Sequence, residues 1–353
     1  MSYTNGLDNP ELYFQCKIYT GDGTAIGSGG LAITLDGEED MQPDFVWIKE
    51  RNNATNHQVY DAVRGVTKRL YSDGNYDEDA NSEGLTTFGS NGFTLGSDGS
   101  SNGSSDTYVA WCWKAGGGSG SSNTDGGINT TSTSVSQTAG FSISTWTGTG
   151  SNATVGHGLG AVPKFITTKA RSDAYDWYTY HASIGNTKNV YINLTNAESG
   201  ASANFHNNTD PTSSVWTSGG NIYNVDYTFV TYAFAEVQGF SKIGSYTGNG
   251  NADGTFVYTG FRPAFVITKK TSGTSPWGIH DNKRDPFNEV DELLEADTNA
   301  ALSDSTYGRD YLSNGFKIRT SSAGVNGSGD TFVYIAFAES PFVNSNGVPT
   351  NAR

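Results

Sequence analysis

Asp106-Thr107-Tyr108-Val109-Ala110-Trp111-Cys112-Trp113 comes back as Asp226-Tyr227-Thr228-Phe229-Val230-Thr231-Tyr232-Ala233-Phe234-Ala235-Glu236, and again as Asp330-Thr331-Phe332-Val333-Tyr334-Ile335-Ala336-Phe337-Ala338-Glu339. Each run opens on or beside an aspartate and is then apolar or β-branched at nearly every position. A strand of that kind is covered on both faces, so it belongs in the middle of a layered β structure and not at an edge. Three such runs in 353 residues mean that the fold is built by repetition.

Two further markers recur upstream of these runs. Pro43-Asp44-Phe45-Val46-Trp47-Ile48-Lys49 corresponds to Pro163-Lys164-Phe165-Ile166-Thr167-Thr168-Lys169 and to Pro263-Ala264-Phe265-Val266-Ile267-Thr268-Lys269. Proline opens each strand, where its missing N–H does least harm. Earlier still, Tyr13-Phe14-Gln15-Cys16-Lys17-Ile18-Tyr19-Thr20-Gly21-Asp22-Gly23, Gly140-Phe141-Ser142-Ile143-Ser144-Thr145-Trp146-Thr147-Gly148-Thr149-Gly150 and Gly239-Phe240-Ser241-Lys242-Ile243-Gly244-Ser245-Tyr246-Thr247-Gly248-Asn249-Gly250 each alternate and end in Thr-Gly-x-Gly, a strand running into a glycine turn. The markers keep one order three times: Phe45, Phe165 and Phe265 are 120 and 100 residues apart. The sequence therefore predicts an all-β chain of three tandem β-sandwich modules, jelly-roll-like and about 100 residues each, over 13–115, 139–238 and 239–342. Residues 1–12 form an N-terminal arm and 343–353 a C-terminal tail. The best helical candidate is 286–301, which follows Asp285-Pro286 and mixes Val290, Leu293 and Leu294 with acids.

Composition agrees with this architecture. The chain has 45 Gly, 19 Tyr, 18 Phe and 7 Trp, which suits short strands and turns and excludes coiled coils, helical bundles and disordered chains. Its net charge of −15, with no basic cluster larger than Lys68-Arg69 or Lys269-Lys270, argues against a nucleic-acid partner. No apolar run is long enough for membrane insertion, and the first residues do not read as an export signal. Gly116-Gly117-Gly118-Ser119-Gly120-Ser121-Ser122 begins a Gly/Ser/Thr-rich stretch over 116–138 that reads as a flexible linker. Residues 1–115 carry 17 acids and 7 bases, so the first module is expected to be acidic and tethered apart from a nearly neutral pair. Cys16 and Cys112 read most simply as two buried free thiols, with a disulfide as the alternative.

The candidates for chemistry are few. His57, His157, His181, His206 and His280 have no serine elbow or orienting carboxylate spaced for a triad. Asp61 and Arg64 recur as Asp281 and Arg284, whereas His181 and Ile184 take those places in the second unit; a turn-stabilising ion pair explains that pattern more simply than a catalytic one. The acidic loop with Asp73, Asp77 and Asp79 offers oxygen ligands of the kind calcium takes, and it is the candidate metal site, set against a plain solvated loop. Asp36-Gly37-Glu38-Glu39-Asp40 is a second such cluster. Trp177, Tyr180, Trp216 and Trp277 are the candidate platforms for a sugar ring, set against the ordinary fate of aromatics in a sandwich core.

Trp111-Cys112-Trp113-Lys114-Ala115-Gly116-Gly117, Asp44-Phe45-Val46-Trp47-Ile48-Lys49, Ala233-Phe234-Ala235-Glu236 and the ending Ala338-Glu339-Ser340-Pro341-Phe342-Val343-Asn344-Ser345-Asn346-Gly347-Val348-Pro349-Thr350 resemble a repeated domain of virion structural and tail-fibre-like proteins in tailed bacteriophages of marine bacteria, the cyanophage type. The resemblance covers nearly the whole chain and brings no catalytic residue with it. It implies a non-enzymatic virion protein, a tail fibre or knob or a capsid head fibre or decoration component, that mediates assembly or host attachment. It also implies other virion proteins as partners, a homo-oligomer with a trimer favoured, and no cofactor. The alternative class is a carbohydrate-binding receptor-recognition protein or glycan depolymerase, with a host-surface glycan as its partner.

Overall fold

Successive side chains along a strand point to opposite faces, and in the closing strand of each repeat both faces are apolar. The computed structural model, which describes residues 7–220, 223 and 225–351, shows what covers them. In the first repeat Thr107–Trp113 lies between Phe14–Thr20 and Phe45–Glu50, and Gln58–Asp61 follows. In the second, Thr228–Phe234 lies between Phe141–Thr147 and Phe165–Ala170, and Tyr178–His181 and Val190–Tyr191 follow. In the third, Thr331–Pro341 lies between Ser241–Thr247 and Phe261–Lys270, and Gly278–Asp281 and Val290–Glu295 follow. These pairings are antiparallel and share one register: Phe45 sits opposite Trp113, Phe165 opposite Phe234 and Phe265 opposite Phe337. The chain is all-β.

One face of each sheet packs on a smaller outer layer from its own repeat. Val46, Ile48, Tyr60, Tyr108, Ala110 and Cys112 meet Ile33, Leu85, Phe93 and Leu95 of the outer strands Leu31–Thr34, Leu85–Gly89 and Gly92–Leu95. The second repeat covers the same face with Ala153–Gly156 and Val215–Ser218. The third uses Phe256–Tyr258, Gly315–Ile318 and Ser303–Leu312.

The opposite faces of the three sheets meet one another. Phe14, Phe45, Trp47, Trp111 and Trp113 share a single core with Phe141, Phe165, Trp177, Tyr232 and Phe234, and with Phe265, Ile267, Trp277, Ile335 and Phe337. The repeats are therefore three sectors around a common aromatic axis. This corrects the expectation of a first module held apart. The 116–138 stretch is bound to the body and is not a flexible linker. Asp44 accepts the N–H groups of Ala115, Gly117 and Gly118 at 2.8, 2.8 and 2.7 Å. Ser121 and Thr133 exchange backbone hydrogen bonds, Ile128 is buried, and Ser132–Ser136 is a strand of the second sheet. At Gly120, where φ is +73°, a Cβ would strike the Thr133 carbonyl, so glycine is required there by the fit of this stretch and not for its mobility.

The helix expected over 286–301 is replaced by the strand Val290–Glu295. Its place in the repeat decides this. Ile279 pairs with Leu294 as Thr179 pairs with Val190 and Val59 with Leu70, so the sheet supplies a partner that overrides local helical preference. Asp285 does not cap a helix but accepts the N–H groups of Asp291 and Glu292 at 2.9 and 2.7 Å. Of the N-terminal arm, residues 1–6 lie outside the described residues, Leu7 is buried in the common core, and Pro10–Leu12 forms one turn. The tail folds back: Thr350 N–H donates to Phe342 O at 3.0 Å, and Ser345 N–H to Asp8 at 2.9 Å.

Candidate functional site

Aligning the sheets by register makes Asp61, His181 and Asp281 equivalent, and likewise Trp111, Tyr232 and Ile335. The two sets meet across the junctions between repeats. Tyr232 OH donates to Asp61 Oδ2 at 2.6 Å, joining the second repeat to the first. Trp111 Nε1–H donates to Asp281 Oδ2 at 3.0 Å, joining the first to the third. At the remaining junction the donor is replaced by Ile335 and the carboxylate by His181, whose Nε2 lies 3.3 Å from Tyr334 O. His181 Nδ1 accepts Ser183 N–H, so the ring proton is on Nε2 and points at that carbonyl.

Two further rings run around the axis. His57, Trp177 and Trp277 are equivalent, and each directs a ring nitrogen to a carbonyl of a neighbouring repeat. His57 Nε2 reaches Glu295 O at 3.0 Å, Trp177 Nε1 reaches Tyr71 O at 2.8 Å and Trp277 Nε1 reaches Tyr191 O at 2.7 Å. Trp47 donates to His57 Nδ1 at 2.8 Å, which again leaves the proton on Nε2. In the third ring Glu78 N–H donates to Arg171 O at 2.8 Å, Glu198 N–H to Thr271 O at 3.0 Å and Leu302 N–H to Arg51 O at 2.8 Å. A buried donor left without a partner costs about 1–3 kcal/mol, so these rings fix the rotation of each repeat against its neighbours.

The sequence-derived candidates fall within this framework. Asp61–Arg64 and Asp281–Arg284 are ion pairs with fully buried side chains, and each arginine also donates to backbone carbonyls of its own turn. They are structural pairs, and their carboxylates already receive the cross-repeat donors. The five histidines are buried and scattered among the three repeats, and burial pushes each below its ordinary pKa, His181 to about 4 and His206 to about 3.

The calcium reading does not fit. Asp73 accepts His57 N–H at 3.1 Å, Asp79 is held by Arg69 and Asp77 is exposed on the surface. Asp36 of the second acidic cluster bridges Lys17 and Lys283 at 3.2 Å each. Among the described residues no three His, Cys, Asp or Glu side chains gather where they could hold one metal ion. Burial raises Asp73 and its third-repeat equivalent Asp297 to about 6; Asn193, their second-repeat counterpart, does the same work as a neutral amide, each accepting the N–H of the residue opposite it. The glycan platforms are corrected too. Trp177, Tyr180, Trp216 and Trp277 are no more than 5% exposed and are packed into cores, so their faces cannot meet a sugar.

The sequence reading missed Lys49, Lys169 and Lys269, which the Pro-opened marker nevertheless contains. All three are fully buried and turn their ammonium groups onto backbone carbonyls: Lys49 on Glu50 O at 2.7 Å, Lys169 on Ala170 O at 2.7 Å and Lys269 on Ser275 O at 2.6 Å. Burial lowers each to about 8. A lysine at the same place in every copy of an apolar strand was the available signal. On the axis a cavity of about 50 Å³ is lined mainly by aromatic and aliphatic side chains of all three repeats. It is far below the size of a sugar site.

The family described as a domain of unknown function, DUF7483, matches residues 9–341, and the chain belongs to it. The match runs through all three repeats. No curated protein matches the chain, nor does any solved structure.

Proposed function

We propose that this member of the DUF7483 family is a non-enzymatic structural component of a tailed-phage particle, a knob, short fibre or decoration protein that serves assembly or host attachment. The observation that carries the reading is the closure of three repeats around a filled aromatic core, with His57, His181, the Asp61 and Asp281 carboxylates and the Trp111, Trp177 and Trp277 indoles spent on joining one repeat to the next. Such a body presents three related faces and keeps its polar chemistry inside, which suits a rigid attachment piece better than a catalyst. The sequence likeness to virion proteins supplies the setting.

One chain provides the threefold arrangement that appendage proteins otherwise obtain by trimerising, so a further trimer is not required to build it. Light scattering decides the oligomer, a single chain having a mass of 37.5 kDa. The assignment is tested by immunogold electron microscopy of purified particles. Labelling at the tail or capsid is expected; absence from washed particles overturns it. The glycan reading has lost its four platforms, and a glycan array with a reducing-sugar assay is expected to show neither binding nor release.

A further inference from the structure

We propose that the junction between the second and third repeats binds a guanidinium group supplied from outside the chain. The other two junctions each carry an arginine–acid bridge of their own. Between the first and second repeats, Glu78 receives Arg171 Nε and Nη2, both at 2.9 Å, and Arg64 Nη1 at 3.2 Å. Burial alone would raise that carboxyl, but the two guanidinium groups hold it below its ordinary range. Between the third and first repeats, Leu302 replaces the glutamate, and Arg51 pairs instead with Glu292 at 3.2 Å.

At the second–third junction the acid is kept and both arginines are gone. Glu198 is the equivalent of Glu78, eight residues beyond the paired strand position Val190 as Glu78 is beyond Leu70. Its N–H bonds Thr271 O as that of Glu78 bonds Arg171 O, so the carboxylate stands at the same height against the neighbouring strand. But Thr271 stands where Arg171 stood, and Ile184 where Arg64 stood. What opens is a cleft of about 340 Å³ between the repeats, lined by Ile184, Lys188, Glu198, Ser245, Thr271 and Thr331. Among the described residues the one ion-pair partner of Glu198 is Lys188, whose side chain is 45% exposed. A pair that open to water is weak and easily displaced. A planar guanidinium offers two parallel N–H donors to a carboxylate, which an ammonium cannot. The cleft is thus the space of a missing arginine with its acceptor still in position.

The inference stands independently of the particle assignment, because its readout is ligand binding in solution and not location on a virion. The probe is N-acetyl-arginine amide, titrated by calorimetry or amide-resolved NMR into the full chain. A dissociation constant of about 1–10 mM is expected for one bidentate contact at a part-exposed site, with N-acetyl-lysine amide about tenfold weaker or worse. Glu198→Gln should abolish saturable binding. Thr271→Arg should also abolish it while raising the melting temperature, because the repeat's own arginine refills the space. Lys188→Met should tighten binding several-fold by removing the competitor, an effect that damage to the fold would not produce. Free arginine, run beside the amide, separates the sources: tighter binding of the amide assigns the occupant to an arginine within a polypeptide, and tighter binding of free arginine assigns it to the amino acid. No saturation of the wild type by either guanidinium probe, equal binding by the lysine probe, or unchanged binding by folded Glu198→Gln or Thr271→Arg would overturn the proposal.

Discussion

If the inner sheets cover one another, a repeat removed from its neighbours loses one entire wall of its core. Consider residues 1–118, which keep Ala115, Gly117 and Gly118, the partners of Asp44. The outer cluster around Ile33, Phe93 and Tyr60 stays intact in this fragment. On the other face Phe14, Phe45, Trp47, Val59, Trp111 and Trp113, none more than 7% exposed in the whole chain, are laid bare. Full burial of such a side chain is worth about 1.5–3 kcal/mol. Neighbours in the same sheet still shelter about half of each, so the loss is on the order of 5–9 kcal/mol, before the lost bond from Tyr232 to Asp61 and from His57 to Glu295 O is added. That equals most of the stability of a typical domain, about 5–15 kcal/mol. The monomeric fragment is therefore expected to show no cooperative urea transition, red-shifted tryptophan emission and strong dye binding, beside a single sharp transition for the full chain. A fragment that folds only as a trimer would agree with the same reasoning, since Trp111 could then reach Asp61 of the next copy as it reaches Asp281 here. A monomeric fragment with a cooperative transition and blue-shifted emission would refute it.

Tyr232→Phe removes only the hydroxyl that reaches Asp61, so chemical denaturation should report a loss of about 1.5–3 kcal/mol, the range for a buried bond to a charged acceptor; a loss under about 0.5 kcal/mol would deny the junction its role. Acid should destabilise the chain below pH 6.5. The buried histidines have folded pKa values below their unfolded ones, so the unfolded chain takes up more protons and stability falls with pH toward about 4 for His181. Asp73 and Asp297, raised to about 6, and Asp285, Glu289 and Glu292, also raised by burial, act in the opposite sense, so the histidine share is read by difference: a folded His181→Gln whose melting temperature falls as steeply from pH 6.5 to 5 as that of the wild type would contradict the burial of a neutral imidazole. Cys16 and Cys112 are both buried with their thiols pushed up by burial, and they lie in different core clusters on opposite faces of one sheet. A thiol reagent should find no reactive group in the native chain and two in denaturant, and mass analysis should show no disulfide.

The repeat, its strands and their central position were legible because local patterning carries them. Alternation, the opening proline and the glycine turn are properties of a few consecutive residues, and the closing strands are buried on both faces as their patterning predicts, Trp111, Tyr232 and Phe337 on one and Cys112, Ala233 and Ala336 on the other. What was not legible is what buries the second face. Two apolar faces on Thr107–Trp113 are satisfied equally well by a second layer of the same repeat or by a neighbouring repeat, and nothing within the strand distinguishes them. That ambiguity produced the error over 116–138. Gly, Ser and Thr serve a mobile tether and also a chain held against Asp44 and Thr133, where Gly117 and Gly118 take positive φ and a Cβ at Gly120 would strike the Thr133 carbonyl. The aromatic candidates failed for a related reason. Trp177 and Trp277 follow loops and look presentable, but their indole N–H groups are used inward on Tyr71 and Tyr191.

One long-range signal was nonetheless present in the sequence: the way the repeats differ. Two of them hold an aspartate at the position of Asp61, and the repeat that each of these faces holds a donor, Tyr232 or Trp111. The repeat with histidine at that position faces Ile335, and His181 turns to a backbone carbonyl. In the second repeat Ile184 has also replaced the arginine that pairs with Asp61 and Asp281 in the other two, so a carboxylate at position 181 facing Ile335 would be buried unpaired at a cost of several kcal/mol. The substitution is therefore coupled across a junction, between residues 171 and 170 positions apart in the two conserved pairings. Within independent sandwiches strung on a tether, no such coupling would arise, because neither residue would meet the other. The same logic separates the second–third junction from the other two. There His181 and Ile335 compensate each other, whereas Glu198 has lost Arg64 and Arg171 equivalents without losing its own charge. At the third–first junction the reverse has happened: Leu302 has replaced the acid, and the arginines that remain, Arg284 and Arg51, turn to the carbonyl and the carboxylate of Glu292, so that junction keeps a bridge where the second–third one keeps only an acceptor.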